Sequence, residues 1–167
     1  FIVTMEQGST MVYCREDPKL IDLIEEAQIE RSDIHFTPYI TPKSIPGKGS
    51  SEITYSDETC VNTTLVGAHN FQHLSVARTV CKSLGIDGEE FDLAIQGFTG
   101  AARRLEVAVD RPEDNFTIYR DFAHAPSKLK ATQAGVVGSY PEREVTAVFE
   151  LHTFSSLNKN FLPQYKG

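Results

Sequence analysis

His69, Asn70 and His73 fall within one short stretch, "HNFQH". The histidines are four apart, so a helix through them sets both imidazoles on one face, which is metal-ligand spacing in principle. The zinc-protease pattern needs a glutamate straight after the first histidine, and Asn70 stands there instead. The same stretch can be read as capping and packing, or as ligand contact. The Asn70 amide both donates and accepts, which matches the adjacent acceptor and donor of an adenine edge.

A second grouping is "YRDFAHAP", with Asp121 and His124 just behind a strand-like run and Pro126 just ahead of a helical pattern. In open α/β sheets, ligands bind beyond the carboxyl ends of strands, and helix starts there favour anions. Asp121 can take both hydroxyls of a ribose, and His124 can donate to a phosphate. The plain alternative is that Asp121 caps the turn and His124 lies on the surface. Arg103 and Arg104 enter a strand together, so at most one faces any given site. The alternative for them is a solvated pair, one bridging to Glu106 or Glu144. Glu150, His152, Ser155 and Ser156 end the next strand pattern, but no G-x-S-x-G turn makes either serine a nucleophile.

The elements that must position these residues follow from periodicity. "STMVYC" reads as a short strand. Asp17 as N-cap and Pro18 at the first helical position open a helix with Leu20, Ile21, Leu23, Ile24 and Ala27 on one face. Residues 37–50 hold three prolines and two glycines and read as turn and loop. Two short strands follow in "SEITYSDETCVNTTLVG". Residues 67–85 predict a helix with Phe71, Leu74, Ala77, Cys81 and Leu84 on one side, and Asp87 to Gly97 predicts a second. Beyond a boundary at 97–100 the pattern changes. "RLEVAVD" puts Leu105, Val107 and Val109 on one face, "RPEDN" is a turn, and "FTIYRD" is a strand. A helix then runs from Pro126 to Gly138, "REVTAVFEL" reads as an interior strand, and "TFSSLNKNFLPQY" starts another helix. The expectation is an α/β fold whose second part contains a parallel element.

The chain has 167 residues, 40% hydrophobic and 23% charged, which suits a folded domain or two small halves. Its formal net charge of -7 argues against a nucleic-acid partner. Cys14, Cys60 and Cys81 are odd in number and far apart, which argues against a disulfide framework and for a reducing compartment, with the thiols as small buried apolar groups. No apolar run reaches the ~20 residues of a membrane span. The chain begins "FIVTMEQG" and reads as a piece of something longer.

Taken together, four stretches resemble the Mur ligases, the ATP-dependent amide-forming family of peptidoglycan synthesis. "GAHNFQHLSVARTVCKSLGI" resembles the family's G-x-H-N-x-x-N helix at the end of its central ATPase domain. "FTGAARRLEV" resembles the F-x-G-x-x-R-R-x-E link into the C-terminal domain. "IYRDFAHAPSKLKAT" resembles the Y-D-D-[FY]-[AG]-H-x-P-T strand-to-helix turn, and "VFELHTFSSLNKNFL" the strand and loop after it. Each is a weak signal alone, and the four in the right order, at sensible separations, make a strong one.

The resemblance implies that residues 1–97 are the end of a P-loop-type central domain and 98–167 the first half of a Rossmann-like C-terminal domain. It implies that His69 and Asn70 lie near an adenine, Arg104 reaches ATP, Asp121 holds the ribose, and His124 sits at or near the nucleotide. His152, Thr153 and Ser156 would contact substrate. Two positions depart from the pattern: His73 replaces the second asparagine and Arg120 the first aspartate. No glycine-rich loop ending in G-K-[ST] is present, and the Mg ligands and modified lysine would lie upstream, so the chain alone is expected to be inactive. The implied reaction joins UDP-N-acetylmuramate to an amine through an acyl phosphate, in the cytoplasm, with the missing parts of its own chain as partners. "DFAHAPSKLKAT", "GAARRLE" and the lack of arginine at Thr153 and Ser156 look closer to the member that adds a whole tripeptide than to the alanine-adding one. A non-enzymatic nucleotide-binding module and a metal-dependent hydrolase using His69, His73 and His124 are the rivals from other classes.

Overall fold

A computed structural model describes residues 1–151 and 158–165. The chain opens with β1 (Thr10–Cys14), α1 (Pro18–Glu30) and β2 (His35–Tyr39), and the two strands pair in parallel across the helix. Asp17 caps α1 as its sequence predicts, its side chain accepting from the Lys19 and Leu20 amides with Pro18 at the first turn. An antiparallel sheet follows in the order β3 (Lys43–Gly47), β4 (Ser50–Thr54), β5 (Cys60–Thr63). Residues 37–50 are therefore largely strand rather than loop. Pro38 and Pro46 are tolerated because β2 is half of a two-stranded ribbon and β3 is an edge, where a missing N–H costs no ladder bond.

Two helices, α2 (Ala68–Ser83) and α3 (Gly88–Gln96), cover the antiparallel sheet. Ile53, Tyr55 and Val61 from the sheet pack with Phe71 and Leu74 of α2, joined by partly buried Leu65 and Ile95. Leu84, expected on the same face, is exposed, because α2 ends at Ser83 and the chain turns away through Gly85 at φ +88°. Asp87 and Glu90 form a reciprocal cap at the start of α3.

Arg78 ties this half together. Its guanidinium grips both oxygens of Asp92 at 3.0 and 2.8 Å, donates to Asp57 at 2.7 Å, and lies 4.4 Å from the centre of the Tyr55 ring. Burial pushes the Tyr55 hydroxyl up to about 12. The hydrogen bond from Arg78 holds the Asp57 carboxyl down at about 2. A depressed carboxyl stabilises the fold above its unfolded value of about 4 and loses that contribution as pH falls through 2. Asp57 is half exposed, so solvent screening keeps the term to about 1 kcal/mol. Acid titration of the melting temperature should therefore fall less between pH 4 and pH 2 in Asp57→Asn than in the wild type, and equal slopes would contradict the pairing.

The second part begins with β6 (Glu106–Arg111) and β7 (Phe116–Arg120), joined by a short 3-10 turn at Pro112–Asp114, and continues into α4 (Pro126–Ser139). β6 and β7 are antiparallel, so the parallel element expected here occurs instead between β1 and β2. The register slips between Val107 and Val109, which breaks the expected common face: Leu105 is buried, Val107 exposed and Val109 half-buried. "REVTAVFEL" forms no strand: residues 144–150 pair with no sheet, and Val148 is 97% exposed. An apolar run of that kind needs cover on both faces, and the two strands and one helix beside it do not supply it. The helix expected from "TFSSLNKNFLPQY" falls partly outside the described residues; within them, Leu162–Tyr165 is a 3-10 turn. The cysteines are not buried: Cys60 is exposed, Cys14 and Cys81 intermediate. No helix among the described residues is long and apolar enough to cross a membrane.

Candidate functional site

The start of α2, the link after α3 and the turn after β7 meet. Gly67 precedes α2 with φ +90°, so the chain enters the helix by a route closed to most residues, and no side chain caps its first turn. His69 follows in that turn. Its Nδ1 is buried and has no hydrogen-bond partner among the described residues. Burial holds the imidazole below its usual value, His73 adds to this, and the charge of Asp121 opposes it. Asp121 is thus close enough for its charge to act on His69. The Asn70 amide nitrogen donates to the Val66 carbonyl at 2.8 Å, leaving its oxygen and second N–H for other partners.

Asp121 stands at the end of β7 and clasps three segments. Its Oδ1 accepts from the Leu105 amide at 3.2 Å and from Phe122 at 2.8 Å, and its Oδ2 accepts from the Thr132 hydroxyl on α4. The turn-capping role is therefore present. A carboxylate offers about four lone-pair directions, so a grip on both hydroxyls of a sugar would displace a partner, and the Thr132 hydroxyl is the one free to rotate away.

His124 lies where α4 begins, its Nδ1 3.1 Å from the Phe122 carbonyl. A carbonyl only accepts, so Nδ1 carries the hydrogen, and Nε2 of the neutral ring is an acceptor. Donation to a phosphate from this ring requires the imidazolium. The first turn of α4 has no side-chain cap, so its free N–H groups favour an anion beside His124.

Arg103 and Arg104 lie in the link, both exposed, with Arg103 at φ +60°. Glu106 takes the Arg120 guanidinium at 3.1 Å and the Arg103 backbone amide at 2.8 Å. The residue standing where the family motif has an aspartate is thus the one that pairs with Glu106. His152, Thr153 and Ser156 lie outside the described residues. His69 and His73 meet edge-on with ring centres 6.3 Å apart. Among the described residues no three histidine, cysteine or carboxylate side chains converge as a metal set.

No family model matches the chain. A UDP-N-acetylmuramate--L-alanine ligase of Bifidobacterium adolescentis is 30% identical over 158 residues, 89% of this chain and 29% of that protein. One from Halorhodospira halophila is 32% identical over 103 residues, 60% of this chain and 21% of that protein. The bifunctional enzyme MurC/Ddl of Chlamydia trachomatis is 32% identical over 108 residues, 65% of this chain and 13% of that protein. Among solved structures, MurF from Acinetobacter baumannii superposes with a TM-score of 0.64 at 16% identity, covering 83% of this chain and 31% of that one. The Thermotoga maritima UDP-N-acetylmuramate-alanine ligase does so with a TM-score of 0.57 at 14% identity, covering 80% and 39%. In sequence and in fold the chain is similar to Mur ligases. It spans less than a third of the length of each of these three curated relatives. The structural likeness, at such low identity, establishes the fold: a mixed α/β arrangement shared with Mur ligases.

Two features of the site are not legible in the sequence. Thr132 looks like a helix-face residue, and only the fold brings it to Asp121. Gly135 of α4 packs against Gly67, and an ideal Cβ there would meet the Gly67 α-carbon at 2.9 Å. Neither residue carries a motif of its own.

Proposed function

We propose that this chain forms the nucleoside-gripping side of an ATP-dependent amide ligase acting on UDP-N-acetylmuramate. Residues 1–97 complete the central domain and 98–167 begin the C-terminal one. The observation carrying this reading is the meeting of three motif segments at one place: Asp121 bonds to the Leu105 amide in the link and acts on His69 at the start of α2. The residues fit a nucleoside. Among the described residues, His69 has a buried nitrogen without a hydrogen-bond partner, the Asn70 side chain has one donor in use, and the first turns of α2 and α4 lack side-chain caps.

When bound, ATP supplies the phosphoryl group that activates the substrate carboxylate. The work of this chain is to orient. His69 and Asn70 would meet the base, Asp121 the ribose, Arg104 the phosphates by charge, and His124, as imidazolium, a phosphate oxygen. Mg ligands are expected elsewhere in the full-length protein.

The test is phosphate release by the full-length protein with ATP and UDP-N-acetylmuramate. Release that depends on both substrates and an acceptor amine is expected. The 167-residue chain alone should release none. Release by the chain alone, or none by the full-length protein with any acceptor, would overturn the reading.

Two observations point to different acceptors. The relatives' names carry L-alanine. Thr153 and Ser156, standing where arginine would grip a small amino acid's carboxylate, favour a tripeptide held farther out. If the loop governs, L-Ala-γ-D-Glu-meso-diaminopimelate should exceed free L-alanine in kcat/KM by about tenfold or more, the worth of one charge-assisted contact. A preference for alanine would assign the chain to the relatives' reaction instead.

A further inference from the structure

α4 touches the first half of the chain at two points. At its end Tyr140, buried, places its hydroxyl 3.0 Å from where a Cβ on Gly49 would stand, and that hydroxyl also bonds Tyr119 at 2.9 Å. One turn earlier Gly135, also buried, meets Gly67. The contact leaves no spare room on either side: a Cβ on Gly67 would lie 3.3 Å from the Gly135 α-carbon, and 2.9 and 3.0 Å from Cε1 and Nδ1 of His69. Gly135, Gly67 and the His69 ring form a stack from α4 to the start of α2. We propose that Gly135 is a positioning residue, whose bare α-carbon seats α4 on Gly67 and thereby sets the resting place and the burial of the His69 ring. Its consequence for catalysis rests on the reading of His69 as a nucleoside contact.

The helix contains its own control. Gly138 is also in α4, and nothing lies within 4 Å of a Cβ added there. Gly135→Ala and Gly138→Ala therefore bring the same methyl and a similar gain in helix propensity, but only the first overfills a contact. The groups facing His69 are His73 on its own helix and Asp121 at the end of β7.

The experiment is an NMR titration of the five histidines in this chain, with His69 identified by His69→Gln. The His69 midpoint should lie below the ordinary imidazole value in the wild type and in Gly138→Ala. It should move up toward that value in Gly135→Ala, as α4 lifts and water reaches the ring. Equal midpoints in all three would overturn the proposal. Should Gly135→Ala not fold, Gly135→Ser in place of it, read against Gly138→Ser, applies the same overfilling to the same contact. Tyr140→Phe, which frees the neighbouring anchor of α4 at Gly49 without adding volume, should also raise the His69 midpoint. An unmoved His69 in these variants overturns the proposal equally. In the full-length protein, Gly135→Ala should raise KM for ATP about tenfold with a smaller change in kcat, and Gly138→Ala should leave both unchanged. A moved His69 midpoint with an unchanged KM for ATP would keep the seat and refute the nucleoside reading of His69.

Discussion

Arg78→Ala is expected to destabilise the chain by about 3 kcal/mol, a fall in melting temperature on the order of 10 °C. The reason is asymmetric. Asp92 is 6% exposed and depends on Arg78 for both of its oxygens. Removing the guanidinium leaves a buried carboxylate without its counter-charge, and also removes the cation over Tyr55. Arg78→Lys should recover only part of the loss, since an ammonium cannot span two carboxylates and lie flat on a ring. The partner test is Asp92→Asn with Arg78→Ala: the double variant should be less destabilised than the two single losses summed. A thermal melt of Arg78→Ala within about 2 °C of the wild type would show that the clasp contributes little.

Asp121→Ala is the second large effect, and it should appear in two separate measurements. Three donors lose their acceptor, two of them backbone amides, so the fold should lose about 2 kcal/mol. In the full-length protein the KM for ATP should rise about tenfold, the worth of a charge-assisted hold on ribose hydroxyls. Asp121→Asn separates the roles. Its amide oxygen still accepts from Leu105 and Phe122, and its NH2 can donate to the Thr132 hydroxyl, so the melting temperature should largely return. The charge does not return, and the KM for ATP should stay raised. If asparagine restores both, Asp121 is a turn cap and nothing more.

Whether a contact is legible in the sequence depends on the distance along the chain over which it acts. The Asp17 cap on α1 and the start of α3 at Asp87 are local and were readable from spacing alone. The prolines of 37–50 misled because edge position is a property of the sheet, not of the segment. "REVTAVFEL" has the composition of an interior strand, but composition does not provide the layers that make an interior. The Arg78 clasp joins Asp57, Arg78 and Asp92, each a common surface residue type, from a turn and two separate helices, which no single helix or strand period links.

The site divides the same way. The residue types at His69, Asn70, Asp121 and His124 were legible because motif spacing is carried along the chain. What each side chain does at rest was not. The tautomer of His124 follows from a carbonyl two residues back. The clasp at Asp121 depends on Thr132, and the burial of His69 on a glycine contact from another helix.

The most direct test of the central claim is to ask where the adenine lies. The full-length protein would be photolabelled with 8-azido-ATP and the adduct mapped by mass spectrometry, with excess ATP as competitor. ATP-protected labelling is expected in peptides covering residues 66–73. Protected labelling confined to peptides outside this chain would contradict the claim.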